Sequence, residues 1–256
     1  METNLRLALL IDGDNAQADL IPQVLAEVSK YGTMTIRRVY GDWSQPTMKG
    51  WREALYTYAL RAQQQFAYTK GKNATDIALV IDAMDFLHTA GIDGVCIVSS
   101  DSDYTGLATH IREKNLFVMG IGKQQTPRAF VNACTVFVYT ENLTSEDDLM
   151  ITEAASPLNS DPVLEEVTID AADPVQLERL FTTAFESAVR ENGWATLAEM
   201  GSLLRQLDPA FDSRTYGYKH LSQLVEASPD FIEVKRDGKD GGVIHIRLKG
   251  DTKPTK

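Results

Sequence analysis

Leu7-Ala8-Leu9-Leu10-Ile11-Asp12-Gly13-Asp14-Asn15 is an unbroken apolar run that stops abruptly in polar residues. With no polar residue alternating through it, it reads as a strand buried on both faces, the kind found inside a parallel sheet. The segments that follow fit the same sheet. Ile21–Tyr31 reads as a helix stopped by Gly32, Thr33–Tyr40 as a β-branched strand punctuated by Gly41-Asp42, and Trp51–Arg61 as a helix. Gln65–Tyr68 is a candidate short strand. Thr75–Thr89 is a long helix closed by Gly91, followed by the apolar strand Gly94–Val98. Tyr104–Lys114 is a helix, Leu116–Ile121 a strand, Pro127–Ala133 a short helix and Val136–Tyr139 a last strand. Strands alternating with helices predict an α/β domain, a central parallel sheet covered on both faces. Ligands on such a sheet sit at the carboxyl ends of its strands.

The 256 residues are 43% hydrophobic and 24% charged, a globular composition that excludes full disorder and fibrous repeats. No apolar run reaches transmembrane length, and no signal-peptide pattern follows the first residues, so a cytoplasmic protein with no membrane partner is expected. Cys96 and Cys134 stand apart in apolar segments, and the four histidines are scattered, which excludes a disulfide framework and a Cys/His zinc site.

The formal net charge of −11 is concentrated in one place. Residues 1–140 hold 13 Lys or Arg against 14 Asp or Glu, and residues 171–256 hold 12 against 13. Residues 141–170 hold nine acids and no Lys or Arg, with Ser156-Pro157 and Asp161-Pro162, and read as an exposed acidic linker. Because both flanks are near neutral, the overall acidity does not exclude a nucleic-acid partner.

Beyond the linker the pattern changes. Pro174 opens a helix running to Arg190, and Gly193 ends it. Thr196–Leu207 is a second helix, with Thr196 and Glu199 at capping-box spacing, and Tyr218–Glu226 a third. Phe231–Lys235 and Val243–Leu248 flank a glycine-rich turn and read as a hairpin. Three helices and a hairpin suggest a small winged-helix (α+β) module.

Four carboxylates stand out by position. Asp12 follows the first strand, Asp101 and Asp103 follow the strand ending at Val98, and Asp76 opens the long helix. In a parallel sheet these places converge on one edge. Clustered carboxylates repel one another unless a cation lies among them, and an oxygen-rich set suits Mg²⁺ or Mn²⁺, which can activate water against a phosphodiester. Asn15 is placed to orient a water or a carboxylate, and Ser100 to hydrogen-bond from behind the acids. Read singly, Asp76 and Asp103 are also ordinary acids at helix starts. Asp14, Asp82 and Asp85 read as solvated or capping residues. For the phosphates of a substrate, Lys72, Arg37, Lys123 and Arg128 are the candidates around the cleft, along with Lys49, Arg52 and Lys70.

At these residues the chain resembles the NYN domain, a branch of the PIN-like nuclease superfamily, and especially its bacterial LabA-like members. The stretches that carry the resemblance are Leu10–Asn15, Arg38–Trp43, Gly71–Leu79, Asp82–Asp85 and Ile97–Tyr104, within about residues 5–142. The resemblance implies a PIN-like three-layer α/β/α fold and metal-dependent RNA cleavage. By it, Asp12, Asp76, Asp101 and Asp103 are the metal-binding acids and Asn15 the accompanying polar residue. Tyr104 is a small departure, since many relatives have Phe there. The part from about Asp173 to Lys249 is similar to the OST-HTH (LOTUS) domain, a winged helix implicated in RNA binding, through Gly193-Trp194-Ala195, Leu197 to Leu204, Phe211-Asp212 and Tyr216–Leu221. That resemblance makes Lys219 a candidate RNA contact, with Tyr216, Tyr218, Lys235 and Arg236 beside it. The division expected is 1–142 for the nuclease domain, 143–172 for the linker and 173–250 for the winged helix.

The leading expectation is a Mg²⁺- or Mn²⁺-dependent ribonuclease acting on RNA, single-stranded by preference, with an appended RNA-binding domain. A different class stays open: an RNA-binding adaptor with a vestigial metal site, holding a protein partner through the acidic linker or the winged helix. A third reading takes Asp12-Gly13-Asp14 as the nucleophile and acid/base of a haloacid-dehalogenase-type phosphatase. A Rossmann dinucleotide role is weaker, because Gly120-Ile121-Gly122 lacks the third glycine.

Overall fold

In the computed structural model, which describes residues 4–66, 73–143, 174–190, 192–237 and 242–249, the chain divides into two compact units. The first is built on β1 (Leu5–Asp12), whose residues from Leu7 to Asp12 are all buried. It lies inside a six-stranded sheet of order β3-β2-β1-β4-β5-β6, formed with β2 (Gly32–Gly41), β3 (Arg61–Gln64), β4 (Gly94–Val98), β5 (Phe117–Gly122) and β6 (Val136–Tyr139). Every pairing in it is parallel.

Strand alternation sorts the core into two faces. Leu7, Leu9 and Ile11 pack with Ile21, Val24 and Val28 of α1 (Ile21–Ser29) and with Trp51 and Ala54 of α2 (Trp51–Thr57). The opposite side of β1 and β2 is covered by α3 (Ala74–Thr89). Helices α4 (Thr105–Glu113) and α5 (Arg128–Ala133) pack on each other, with α4 against β5. This is the three-layer α/β/α arrangement that the unbroken apolar run predicts.

One strand lies away from its sequence expectation. Strand β3 is Arg61–Gln64, just before the predicted Gln65–Tyr68, and α2 ends at Thr57 rather than Arg61. As an edge strand β3 is largely exposed, so it carries no apolar run to mark it. Tyr68 lies outside the described residues.

The second unit contains α6 (Pro174–Ala188), β7 (Ala195–Thr196), α7 (Leu197–Leu207), a short 3₁₀ turn at Ser213–Tyr216, α8 (Leu221–Glu226), β8 (Ile232–Arg236) and β9 (Ile244–Leu248). Its antiparallel sheet has the order β7-β9-β8, the strand and hairpin of a winged helix. Phe181, Phe185, Met200, Leu204, Val225 and Ile246 fill its core. Strand β7 is too short for a period-2 signal, which is why the sequence shows only the hairpin. Among the described residues no helix is long and apolar enough to cross a membrane.

Candidate metal centre

The carboxyl ends of β1 and β4 lie side by side, with Ile11 opposite Val98. Asp12 is therefore the last residue of its strand, and the chain must turn at once. Gly13 makes the turn possible: its N–H donates to Tyr40 O at 2.8 Å, and a Cβ there would sit 2.8 Å from the same oxygen. After β4, Asp101 caps the short 3₁₀ turn Ser102–Tyr104, its Oδ1 accepting from Asp103 N at 2.8 Å. From across the edge, the first turn of α3 brings in Asp76.

The result is a trio. Carboxylate oxygens of Asp76, Asp101 and Asp103 lie within 4.8 Å of one another, Asp76 and Asp101 half-buried and Asp103 exposed. The protonation of Asp76 registers the crowding. Its pKa is pushed up first by burial and then by the charges of Asp101, Asp103 and Asp14, against a lowering hydrogen bond from Tyr104.

Asp12 is not one of the three. It is shut off from water, and its oxygens hold three donors: Asn15 Nδ2 at 2.7 Å and Ser99 Oγ at 2.9 Å on Oδ2, and Asp14 N at 3.2 Å on Oδ1. Burial pushes its pKa up, the hydrogen bonds from Asn15 and Ser99 pull it down, and the charge of Asp76 raises it. A buried carboxylate this fully engaged is poorly placed to be a phosphatase nucleophile. Ser99 also accepts from Asp101 N at 3.1 Å, so one hydroxyl links the acid beneath to the trio above.

The family model of the NYN domain matches residues 6–144 of the chain. The chain belongs to the NYN domain family. The model of the OST-HTH/LOTUS domain matches residues 173–244, so the second unit of this NYN protein is a LOTUS domain. Among solved structures, a Vibrio parahaemolyticus protein of unknown function is similar at 16% identity, over 54% of this chain and 94% of its own, with a TM-score of 0.46. An uncharacterized Nitrosomonas europaea protein is similar at 32% identity over 38% of this chain and 90% of its own, with a TM-score of 0.28. A fragment of a Chromobacterium violaceum protein is similar at 39% identity over 29% and 82%, with a TM-score of 0.25. No curated protein matches.

Several residues of the NYN domain take places that the sequence did not indicate. Ser100 accepts from the Lys123 backbone N–H at 2.9 Å, and it is Ser99 that reaches Asp12. Asp14 accepts from Thr75 Oγ1 at 3.0 Å, and Asn73 Nδ2 donates to Asp103 Oδ2 at 2.6 Å, so the start of α3 is tied to both loops. Tyr104 donates to Asp76 Oδ1. Such pairings join residues far apart in sequence and leave no local pattern.

The basic residues divide. Lys123 follows the last residue of β5 at the same sheet edge. Arg128 opens α5, two residues before Phe130, whose ring lies 6.3 Å from that of Tyr104. Arg37 is opposite Leu9 in mid-strand, three residues short of the Asp12–Tyr40 pair and so about 10 Å back from the edge. Lys70 and Lys72 lie outside the described residues. In the LOTUS domain Lys219 is exposed, while Tyr216 and Tyr218 pack against the core and Arg236 pairs with Glu226.

Proposed function

We propose that this NYN protein is a divalent-metal-dependent ribonuclease whose LOTUS domain binds RNA. The observation that carries the reading is the trio: three carboxylates from two separate elements, held within 4.8 Å. Three such groups beside a fourth buried acid are costly without a cation. Their oxygen donors suit Mg²⁺ or Mn²⁺, and the mutual proximity of Asp76, Asp101 and Asp103 fits one ion. When bound, such an ion supplies Lewis-acid stabilisation of the charge developing on a phosphodiester and lowers the pKa of a water.

The chain's own residues then have distinct parts. Asp76, Asp101 and Asp103 hold the ion. Tyr104 and Asn73 donate to Asp76 and Asp103, fixing which oxygens remain free. Asp12, beneath, feels the charge of Asp76 and holds Asn15 and Ser99 in place. The exposed amide of Asn15 is left to orient a water or the scissile phosphate, and Lys123 and Arg128 to hold flanking phosphates. Lys219 is proposed as a phosphate contact of the LOTUS domain, and cytoplasmic RNA as the substrate.

The test is cleavage of a labelled single-stranded RNA by the full chain with Mn²⁺ or Mg²⁺, against an EDTA control and Asp101→Asn. Metal-dependent product lost in the variant is the expected result. RNA binding with no product over several RNAs would overturn the nuclease reading in favour of an adaptor.

A further inference from the structure

Among the described residues only two phenylalanine, tyrosine or tryptophan side chains are exposed, Tyr56 at 92% and Phe66 at 59%. Both belong to the same flank of the first unit: Tyr56 is in α2, and Phe66 lies two residues past the end of β3, the strand that follows α2. The flank also carries two unpaired cations. Arg6, Lys30 and Arg38 meet Asp93, Glu27 and Asp82, whereas Lys49 and Arg52 are exposed with no carboxylate in ion-pair range among the described residues. Lys49 lies in the 3₁₀ turn Pro46–Gly50 that leads into α2, so Lys49, Arg52 and Tyr56 follow one another at about one turn each along one face. The opposite face, with Trp51 and Ala54, is buried.

This flank is fastened to the edge that holds the acids. Trp51 Nε1 donates to Gly13 O at 3.2 Å, and Met48 fills the space over Gly13 and Gly41. Gln65 N donates to Gly41 O at 3.1 Å, holding the chain along the end of β2 just before Phe66. Gln63 stands opposite Tyr40, and Tyr40 opposite Asp12. Phe66 is therefore about 10 Å across the sheet from β1, on the outward side of its carboxyl edge.

We propose that this flank carries the single-stranded RNA that enters or leaves the trio, with Lys49 and Arg52 on backbone phosphates and Phe66 and Tyr56 each stacking a base; this rests on the ribonuclease reading above. Unpaired cations beside exposed aromatic faces are what a single strand needs, because every base has a flat face and every phosphate a charge. A duplex keeps its bases stacked on one another and has no face to give Phe66 or Tyr56, so the flank selects single strands over double. Stacking does not read base edges, so it tolerates all four bases. The one acid of α2, Glu53, is a residue off the cationic face.

The test is binding of a labelled 12-nucleotide single-stranded RNA to the full chain in EDTA over a range of KCl, with ultraviolet crosslinking of the same RNA carrying 4-thiouridine. The expected crosslinks include Tyr56 and Phe66, and are absent there with duplex RNA. Tyr56→Ala and Phe66→Ala should each weaken binding about fivefold or more at an unchanged salt slope, and Tyr56→Phe should restore it. Lys49→Gln and Arg52→Gln should each make the slope of log K against log salt shallower by about 0.7. All four are exposed positions, so the fold is spared. Crosslinks confined to the LOTUS domain, or affinity and slope unchanged in all four variants, would overturn the proposal. Polyglutamate displacing the RNA as well as unlabelled RNA does would reduce the flank to a general anion surface and overturn it equally. The two readings fail separately: flank crosslinks without Mn²⁺-dependent cleavage by the wild type remove the nuclease and keep the RNA surface, and cleavage without flank contacts does the reverse.

Discussion

Tyr104 donates a 2.7 Å hydrogen bond to Asp76 Oδ1 while its own ring is fully shut off from water. A buried hydroxyl needs an acceptor, and a carboxylate crowded by other carboxylates needs a donor. Each group satisfies the other. The bond also spans 28 residues, from the turn after β4 to the first turn of α3, so it holds together the two elements that form the acid trio.

Tyr104→Phe keeps the ring and its packing on Phe130 and removes only this bond. The bond favours the charged form of Asp76, so without it the Asp76 carboxyl titrates still higher than it does now. The expected result is weaker Mn²⁺ binding at pH 6 than in the wild type, with the difference shrinking by pH 8, and a stability loss of about 1 kcal/mol. Calorimetric Mn²⁺ titration at the two pH values checks it. Equal affinities at both would show that the hydroxyl does not tune the site.

Without metal, the acids should make the protein less stable as pH rises. Asp12 and Asp76 have folded pKa values raised above the ordinary carboxylate value, so the folded state holds protons that the unfolded chain has released. Stability therefore falls as pH climbs through the window between the unfolded and folded values. Asp42, Asp93 and Glu199, each pulled down to about 2 by hydrogen bonds, work the other way, and their contribution is lost as pH falls toward 2. Asp76→Asn removes one of the first group. In EDTA its melting temperature should match the wild type near pH 4 and exceed it at pH 7, and added Mn²⁺ should close or reverse the difference. A wild type more stable than Asp76→Asn in EDTA at pH 7 would contradict the charge-crowding argument.

The apolar runs Leu7–Ile11 and Gly94–Val98 made the sheet legible, since a strand buried on both faces has no polar position to disguise it. The acids at the ends of those strands were legible for the same reason: each marks where a buried run stops. What the sequence did not reveal is which neighbour each side chain meets. Ser99 and Ser100 are adjacent hydroxyls in one sequence, and only the pleat decides that Ser99 points at Asp12 while Ser100 meets the Lys123 N–H. Asp14 reads as a solvated or capping residue because its partner, Thr75, is 61 positions away. The edge strand Arg61–Gln64 carries no apolar signal at all.

Ser99→Ala should cost more than Ser100→Ala. The Ser99 hydroxyl is buried, donates to Asp12 and accepts from Asp101 N, so its loss leaves a shielded carboxylate short of a donor and a backbone N–H short of an acceptor. About 1–3 kcal/mol is expected from the unsatisfied groups. The Ser100 hydroxyl serves one half-buried N–H that water can reach, and its removal should cost less than 1 kcal/mol or so. Urea denaturation of both variants checks the order, and Mn²⁺ affinity should fall for Ser99→Ala because Asp101 loses its backbone anchor.

The last prediction concerns how α3 is held at its far side. Asp82 lies six positions beyond Asp76, so when Asp76 faces the trio Asp82 faces β2. There it pairs with Arg38 and accepts from Tyr40 Oη at 2.8 Å, while the Arg38 guanidinium lies 4.4 Å from the centre of the Phe86 ring. Arg38 and Asp82 side chains are only 19% and 28% exposed, so removing one partner strands the other in a poorly solvated place. Arg38→Met, which keeps much of the stem over Phe86, should destabilise by about 1–2 kcal/mol, between the values for exposed and buried pairs. Asp82→Asn should cost less, because the amide oxygen still accepts from Tyr40. A helix loosened at this point carries Asp76 with it. Arg38→Met should therefore also weaken Mn²⁺ binding, although Arg38 touches none of the trio, and a variant that loses stability with unchanged Mn²⁺ affinity would show that the pair braces the fold without positioning the site.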